Sequence, residues 1–158
     1  MENLKITPCL WFDNQAEEAA RFYVSIFKNS KIGSISRYTK EGYEIHGGEA
    51  GSVLAVTFQI NGQAFTAMNG GPIFKFTEAV SFQIFCETQE EIDDYWQRLT
   101  EDGEEGQCGW LKDKYGLSWQ VVPKILPELM LDTNKAERVM KSLLKMTKLE
   151  IHKLLEVQ

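Results

Sequence analysis

The chain has 158 residues and a net charge of −6, with 43% hydrophobic and 25% charged residues, which is typical of one soluble globular domain. Its acidic balance argues against nucleic acid and anionic membrane surfaces as partners, since both attract basic proteins. No apolar run in the sequence approaches the ~20 residues that a membrane span requires.

The cysteines and the first residues of the sequence point to one compartment. Cys9, Cys86 and Cys108 are odd in number and lack CxxC spacing, so neither a disulfide framework nor a zinc knuckle is indicated. The first residues lack the apolar core of a signal peptide. We therefore expect a cytoplasmic protein with reduced thiols.

The first half of the chain begins with a predicted strand and a predicted helix. The apolar run 6–12 is typical of a short strand, and Pro8 within it suggests an edge position or a bulge. Asn14 and Glu17 have the spacing of a capping box, and apolar residues then recur at helical spacing as far as Phe27. We therefore expect a helix that is capped by Asn14.

Three strands are predicted to follow this helix. The pattern places them over 31–40, 52–60 and 63–68. A glycine-rich loop over 41–51 separates the first two of these strands, and Asn61-Gly62 between the other two is a strong signal for a two-residue hairpin.

The second half of the chain repeats the same order. A strand is predicted over 80–87, and Thr88 with Glu91 forms a second capping box for a helix that ends by Gly103. The remaining strands are predicted over 109–112 and 117–123, on either side of a turn at 113–116. We expect the carboxylate of Asp113 to accept hydrogen bonds from amides of this turn.

The C-terminal part of the chain is predicted to be helical. Asp132 and Thr133 can start a helix whose apolar stripe must be covered, either by the sheet or by a second subunit. We interpret the basic residues on the opposite side as a solvated face. A last short helix or turn is predicted around 151–155.

Each half is expected to be a sheet with one helix on one face, and two such halves side by side would form a concave ligand cleft.

The most distinctive segment is Cys108–Pro123. Along its second strand, Gln120 points to the face opposite Trp119 and Val121. Gln120 is then either the floor of a small-molecule pocket or a solvent-facing residue of an ordinary hairpin, and the pattern leaves both interpretations open.

Several stretches of the sequence resemble one protein family closely. They are ITPCLWFDNQAEEAARFY from Ile6, GSVLAVTFQINGQAFTAMNGGP from Gly51, CGWLKDKYGLSWQVVP from Cys108 and KAERVMKSLLKMTKLEI from Lys135. Together with the order of elements, they resemble the PhnB-like family, which is also named for 3-demethylubiquinone-9 3-methyltransferase. This family is part of the vicinal oxygen chelate superfamily, with glyoxalase I, extradiol dioxygenases and bleomycin-resistance proteins.

The resemblance implies an α+β fold in which two βαβββ modules, over about 4–72 and 78–125, form a curved mixed sheet of the glyoxalase/bleomycin resistance type. We expect residues 1–125 to form this paired domain and residues 126–158 to be a C-terminal helical extension of it. The resemblance also implies a homodimer. It leaves open whether the modules pair within one chain or are exchanged between two.

The superfamily's enzymes hold a divalent metal with His and Glu from four strands, so the resemblance identifies the positions to test. These positions are occupied here by Thr7 or Pro8, Thr66, Ser81 and Gln120. None of them offers an anionic oxygen or an imidazole, and neutral oxygens do not offset the dehydration of a divalent ion. We therefore predict no bound metal at this position and no cofactor.

Other candidate residues have more ordinary interpretations. His46 in the glycine-rich loop is expected to be exposed to solvent, although its neighbours Gly47 and Gly48 could allow it to reach a ligand. Cys108 has no base nearby in the sequence, so a structural or pocket-lining role is favoured over a catalytic one. The methyltransferase of the family name is not supported by the pattern, because no strand is followed by GxGxG and a helix.

These observations favour a protein that binds an unidentified small molecule, without a metal, in a cleft of the curved sheet. The predicted ligand-binding residues are Trp11, Phe65, Thr66, Ser81, Gln83, Trp110, Trp119 and Gln120. One alternative is a lyase, isomerase or dioxygenase with a displaced metal site that recruits His46. Another is an interaction protein whose cleft is filled by its own side chains, and whether the chain is an enzyme stays open.

Overall fold

A computed structural model describes residues 6–156 of the protein, and the chain divides into two compact units with the boundary between Lys75 and Phe76. Each unit has a four-stranded mixed sheet and a helix that follows its first strand. Further helices follow the last strand of the second unit. The predicted α+β class, with two βαβββ units and a helical C-terminal part, is confirmed. The division into a 1–125 domain and a 126–158 extension stays a prediction.

Between residues 6 and 75, the first unit contains four strands and two helices. They are β1 (Cys9–Phe12), α1 (Ala16–Ile26), β2 (Lys31–Arg37), α2 (Tyr43–His46), β3 (Val53–Ile60) and β4 (Gln63–Asn69). The strand order in the sheet is β1-β4-β3-β2, with β1 parallel to β4 and the other neighbours antiparallel. These four strands begin and end within a few residues of the predicted bounds.

As far as residue 156, the second unit contains four strands and four helices: one helix lies between its first two strands, and three follow its last strand. They are β5 (Ser81–Cys86), α3 (Gln89–Thr100), β6 (Glu104–Glu105), β7 (Trp110–Lys112), β8 (Ser118–Pro123), α4 (Leu126–Leu131), α5 (Thr133–Leu143) and α6 (Ile151–Leu155). The strand order is β5-β8-β7-β6, with β5 parallel to β8. No helix among residues 6–156 is long and apolar enough to cross a bilayer.

Helix α1 covers one face of the first sheet because its apolar side is almost continuous. Tyr23 is completely buried, and its ring stacks on that of Phe58 from β3 at a centroid distance of 6.2 Å. The N-terminus of this helix differs from the prediction, because Asn14 makes no capping bond. Oδ1 of Asn69, at the end of β4, instead accepts a hydrogen bond of 2.8 Å from the amide of Ala16. The predicted Asn14 cap is therefore wrong, and the cap comes from the sheet.

The predicted hairpin between β3 and β4 is confirmed. Ile60 pairs with Gln63, and Asn61 and Gly62 have φ values of 48° and 81°, as a two-residue turn of this kind requires. The glycine-rich loop contains one feature that the sequence did not predict, the single-turn helix α2. Gly42 before it and Gly47 after it both have positive φ, so the glycines bound the helix instead of keeping the whole loop irregular.

The capping residue predicted for α3 is confirmed. Oγ1 of Thr88 accepts a hydrogen bond of 3.2 Å from the amide of Glu91. The carboxylate of Glu91 bonds back to the amide of Glu87, one residue before the position that a capping box uses. Helix α3 then buries Ile92 and Leu99 completely against the strands of its own unit.

The C-terminal helices of the second unit form a small core of their own. Its buried members are Leu129, Val139, Met146, Leu149 and Leu154. Asp132 caps α5 as predicted, by accepting a bond of 3.0 Å from the amide of Asn134. The apolar stripe of α5 is thus partly covered by neighbouring helices, while Leu144 stays 62% exposed. Helix α4 was not predicted.

Candidate functional site

The strand register gives the second sheet two different faces. Helix α3 contacts β7 and β8 on the face where Leu111, Trp119 and Val121 are buried. The side chains that alternate with them lie on the other face, which we call the uncovered face because the helix of the βαβββ unit does not lie on it. The register places Ser81, Ser118, Lys112 and Glu104 in one row across this face, and Gln83, Gln120 and Trp110 in the next row.

A short hydrogen-bond chain fixes the amide of Gln120 on the uncovered face. Its Nε2 donates a hydrogen bond of 2.8 Å to Oγ of Ser81, and its Oε1 accepts one of 3.3 Å from Nε2 of Gln83. Gln120 is half-buried, whereas its neighbour Trp119 is only 3% exposed on the opposite face. The structure therefore brings together three of the predicted site residues, with Trp110 beside Gln120 on the neighbouring strand.

Two other predicted site residues lie elsewhere. Trp119 packs in the helix-covered core of the second unit, where its Nε1 donates a hydrogen bond of 2.8 Å to Oδ2 of Asp113. Phe65 is buried in the core of the first unit, and its ring stacks on Phe58 at 5.4 Å. Because adjacent residues of a strand face opposite sides, Trp119 does not share a face with Gln120, and Phe65 does not share one with Thr66. Their assignment to the ligand site is corrected accordingly.

The uncovered face of the first sheet carries the remaining two predicted residues, Trp11 and Thr66. Trp11 pairs with Met68, and Thr66 pairs with Cys9 in the parallel strands β1 and β4. The indole Nε1 of Trp11 donates a hydrogen bond of 2.9 Å to the carbonyl of Gly71. The Trp11 ring is therefore held in place by the backbone after β4.

The positions that would hold the superfamily's metal do not fit a divalent cation. Ser81 and Gln120 present a hydroxyl and an amide, and Thr66 presents a hydroxyl. The carbonyl of Pro8 already accepts a hydrogen bond of 2.9 Å from the amide of Thr66. Such a neutral donor set does not offset the dehydration of the ion. Among residues 6–156, no group of three or more His, Cys, Asp or Glu side chains is arranged to hold a metal.

An ion pair and a buried hydroxyl lie in the first row of the uncovered face. Nζ of Lys112 is 2.6 Å from Oε1 of Glu78, and this bond lowers the pKa of Glu78 and raises that of Lys112. Ser118, the direct neighbour of Lys112 across the strands, is fully buried. Its Oγ has no hydrogen-bond partner within the part of the chain that the structure describes. Sequence reasoning missed Ser118, although its spacing of two from Gln120 would have placed both on one face.

His46 lies at a separate cavity of about 750 Å³ in the first unit. It is exposed, as predicted, and its ring stacks on Tyr38 at 4.5 Å. Its Nδ1 accepts a hydrogen bond of 2.9 Å from the amide of Gly48, so the proton of the neutral ring lies on Nε2, which is 3.0 Å from the carbonyl of Glu41. Both ring nitrogens are therefore engaged with backbone groups.

The cysteines do not form a reactive site with these residues. Burial, with a smaller contribution from Glu91, raises the pKa of Cys86 to about 12, which keeps this thiol protonated. Sγ of Cys108 lies 3.6 Å from the carbonyl of Leu143, and the amide of Cys108 donates a bond of 2.7 Å to the carbonyl of Met146. These contacts tie the start of β7 to the C-terminal segment and support a structural role for Cys108.

Comparisons with known proteins agree with this architecture. A family model described as 3-demethylubiquinone-9 3-methyltransferase matches residues 4–122. The chain is similar to the PhnB protein from Bacillus cereus, with 42% identity over 75% of this chain and 98% of that chain and a TM-score of 0.67. No curated protein matches the sequence significantly.

Two more distant solved structures share the fold alone. Protein PA1353 from Pseudomonas aeruginosa is 16% identical over 75% of this chain and 96% of that chain, with a TM-score of 0.60. The fosfomycin resistance protein FosX from Listeria monocytogenes, complexed with Mn(II) and sulfate, is 19% identical over 83% of this chain and 97% of that chain, with a TM-score of 0.53.

Proposed function

Because the chain belongs to the 3-demethylubiquinone-9 3-methyltransferase family, the PhnB-like branch of the vicinal oxygen chelate superfamily, we propose that it binds a small organic molecule on the uncovered face of its second sheet, without a metal. The observation that carries the proposal is the Gln120 amide held between Ser81 and Gln83. A fixed amide on a sheet face that no helix of its own unit covers can act as a recognition group, since such a group orients a ligand at little entropic cost.

The chemistry of these residues defines the ligand in outline. An amide has two N–H donors and two acceptor lone pairs, so Gln120 keeps one of each after its bonds to Ser81 and Gln83. The ligand would use a hydroxyl, carbonyl or amide against Gln120 and place an aromatic or apolar body against the indole of Trp110. For the first unit we propose separately that Trp11 and Thr66, which share one face of the first sheet, contact a small molecule there.

Two other functions have less support from the residues. A metal enzyme that recruits His46 would have to break the hydrogen bonds that both ring nitrogens make to backbone groups. A methyltransferase would need a site for its methyl donor, and the strand-to-helix junctions at 13–15 and 87–88 contain no glycine for close backbone approach. We therefore do not assign the activity in the family's name to this chain.

The test compares binding in two matched glutamine variants. Benzyl alcohol and benzamide are titrated into ¹⁵N-labelled protein, and shifts of the Trp110 indole and Gln120 side-chain signals are followed. Gln120→Ala should weaken binding at least tenfold, whereas Gln97→Ala, an exposed glutamine on α3, should leave it unchanged. Equal affinities in both variants, or stoichiometric divalent metal in the purified protein by elemental analysis, would overturn the proposal.

A further inference from the structure

A small cavity of about 180 Å³ lies at the first row of the uncovered face, next to the proposed site. Liquid water occupies about 30 Å³ per molecule, so the cavity has room for several water molecules or a small polar group, and it is smaller than the ~300–1,000 Å³ of a typical ligand pocket. The side chains that give it its chemistry are Glu78, Glu104, Glu105, Trp110, Lys112 and Ser118.

The hydroxyl of Ser118 is the first indication of a ligand here. Its Oγ is fully buried and has no hydrogen-bond partner among residues 6–156, while Ser118 lines the cavity. A buried hydroxyl without a partner destabilises a folded protein, so native structures rarely keep one. A polar group that enters the cavity would supply the missing hydrogen bond.

The charges around the cavity specify which polar group fits. Three carboxylates face one ammonium there, and Lys112 is already paired with Glu78 at 2.6 Å. Oε1 of Glu105 accepts a hydrogen bond of 2.8 Å from the indole of Trp96. The exposed carboxylate of Glu104 makes no hydrogen bond among residues 6–156, and its charge interacts with that of Lys112. The cavity is therefore negative, and the π face of an indole such as Trp110 also attracts cations.

We infer that this cavity binds a primary ammonium group, which donates hydrogen bonds to Oγ of Ser118 and to the carboxylate of Glu104. A primary ammonium has three N–H donors, so it can satisfy both acceptors, whereas a trimethylammonium group has no donor. The inference deepens the proposed function and rests on it: the ligand held against Gln120 and Trp110 would carry its amine two residues along the strand, at Ser118.

The test uses three probes with the same aromatic body. Benzylammonium, benzyltrimethylammonium and benzyl alcohol are titrated at neutral pH into ¹⁵N-labelled protein, and the signals of Ser118, Trp110 and Gln120 are followed. Benzylammonium should bind at least tenfold more tightly than either of the other two. If all three bind equally, the ammonium site is refuted while the proposed function stands; if none binds and Gln120 does not respond, both fail.

Two variants and a charge-matched control locate the ammonium. Ser118→Ala should reduce the preference for benzylammonium at least threefold and leave the affinity for benzyl alcohol unchanged, and Glu104→Gln should do the same. Glu90→Gln removes one negative charge from an exposed position on α3 and should keep the full preference. A preference that survives in both cavity variants would show that neither Ser118 nor Glu104 holds the ammonium, and would overturn the inference.

The stability of the unliganded protein gives a second readout. Because the hydroxyl of Ser118 has no partner to lose, Ser118→Ala should unfold at the same or a higher urea concentration than the unchanged protein. A clear decrease in the midpoint would show that the hydroxyl is already bonded in the empty protein, and this too would contradict an open ammonium site.

Discussion

Oδ2 of Asp113 accepts a hydrogen bond of 2.8 Å from the indole nitrogen of Trp119, across the turn that joins β7 to β8. The other carboxylate oxygen, Oδ1, accepts bonds of 2.9 Å and 3.1 Å from the amides of Tyr115 and Leu117. Asp113 is only 3% exposed, so one buried carboxylate closes the turn and fixes the ring beneath Gln120. The turn thereby sets the position of the strand that carries the proposed site.

Asp113→Ala should lower the free energy of unfolding by about 3 kcal/mol, because it leaves two buried donors and one partly buried donor without their shared acceptor. The measurement is urea unfolding followed by tryptophan fluorescence. Asp94→Ala is the control, since its carboxylate is exposed and pairs with Arg98 only at 3.7 Å. The control should change stability by about 0.5 kcal/mol or less. Equal losses in the two variants would refute the role of Asp113.

Asn69→Ala should destabilise the protein by about 1–2 kcal/mol, because it removes the cap of α1 and the bond from Nδ2 to the carbonyl of Val53. Asn14→Ala, at the residue that the sequence pattern predicts as the cap, should change stability by only a few tenths of that amount. Thermal or urea unfolding of the two variants separates them. A larger loss for Asn14→Ala would mean that the local cap forms in solution.

The contrast between these two asparagines explains what sequence reasoning can reach. Capping boxes, hairpin turns and apolar periodicity are local signals, and they located Thr88, Asp132 and the turn at Asn61 correctly. The cap of α1 comes from Asn69, whose bond to Ala16 joins residues 53 positions apart. No local pattern encodes such a contact, because it depends on the pairing of β4 with β1.

The candidate site follows the same rule. Strand alternation predicts that Gln120 and Trp119 face opposite sides, and the resemblance to a known family identifies Ser81 as the neighbour of Gln120. The same alternation places Trp119 away from a ligand on Gln120, and its burial in the core agrees with this placement. Alternation also places Ser118 on the face of Gln120, but the pairing of Ser118 with Lys112 follows only from the strand register.

Ser81→His combined with Gln120→Glu should create a weak divalent metal site. The two side chains are in direct contact at 2.8 Å, so an imidazole and a carboxylate at these positions can reach one ion, and both are good ligands for Zn²⁺. Isothermal titration with Zn²⁺ should give an affinity at least tenfold higher for the double variant than for either single variant. If the double variant gains no more than the single variants, the side chains do not converge as described.

The buried thiol of Cys86 should make stability fall at alkaline pH. Burial raises its pKa from 9.0 to about 12, so between these values the unfolded chain has lost a proton that the folded chain retains. The unfolded state then binds fewer protons, and the free energy of unfolding decreases as pH rises, by up to about 1.4 kcal/mol per pH unit. Cys86→Ala should remove this part of the slope in urea unfolding between pH 9 and pH 11.

Cys9→Ala is the control, because the Cys9 thiol is already exposed in the folded protein, and this variant should retain the slope. Identical slopes for Cys86→Ala and the unchanged protein would show that the Cys86 thiol ionises as easily in the folded chain as in the unfolded one.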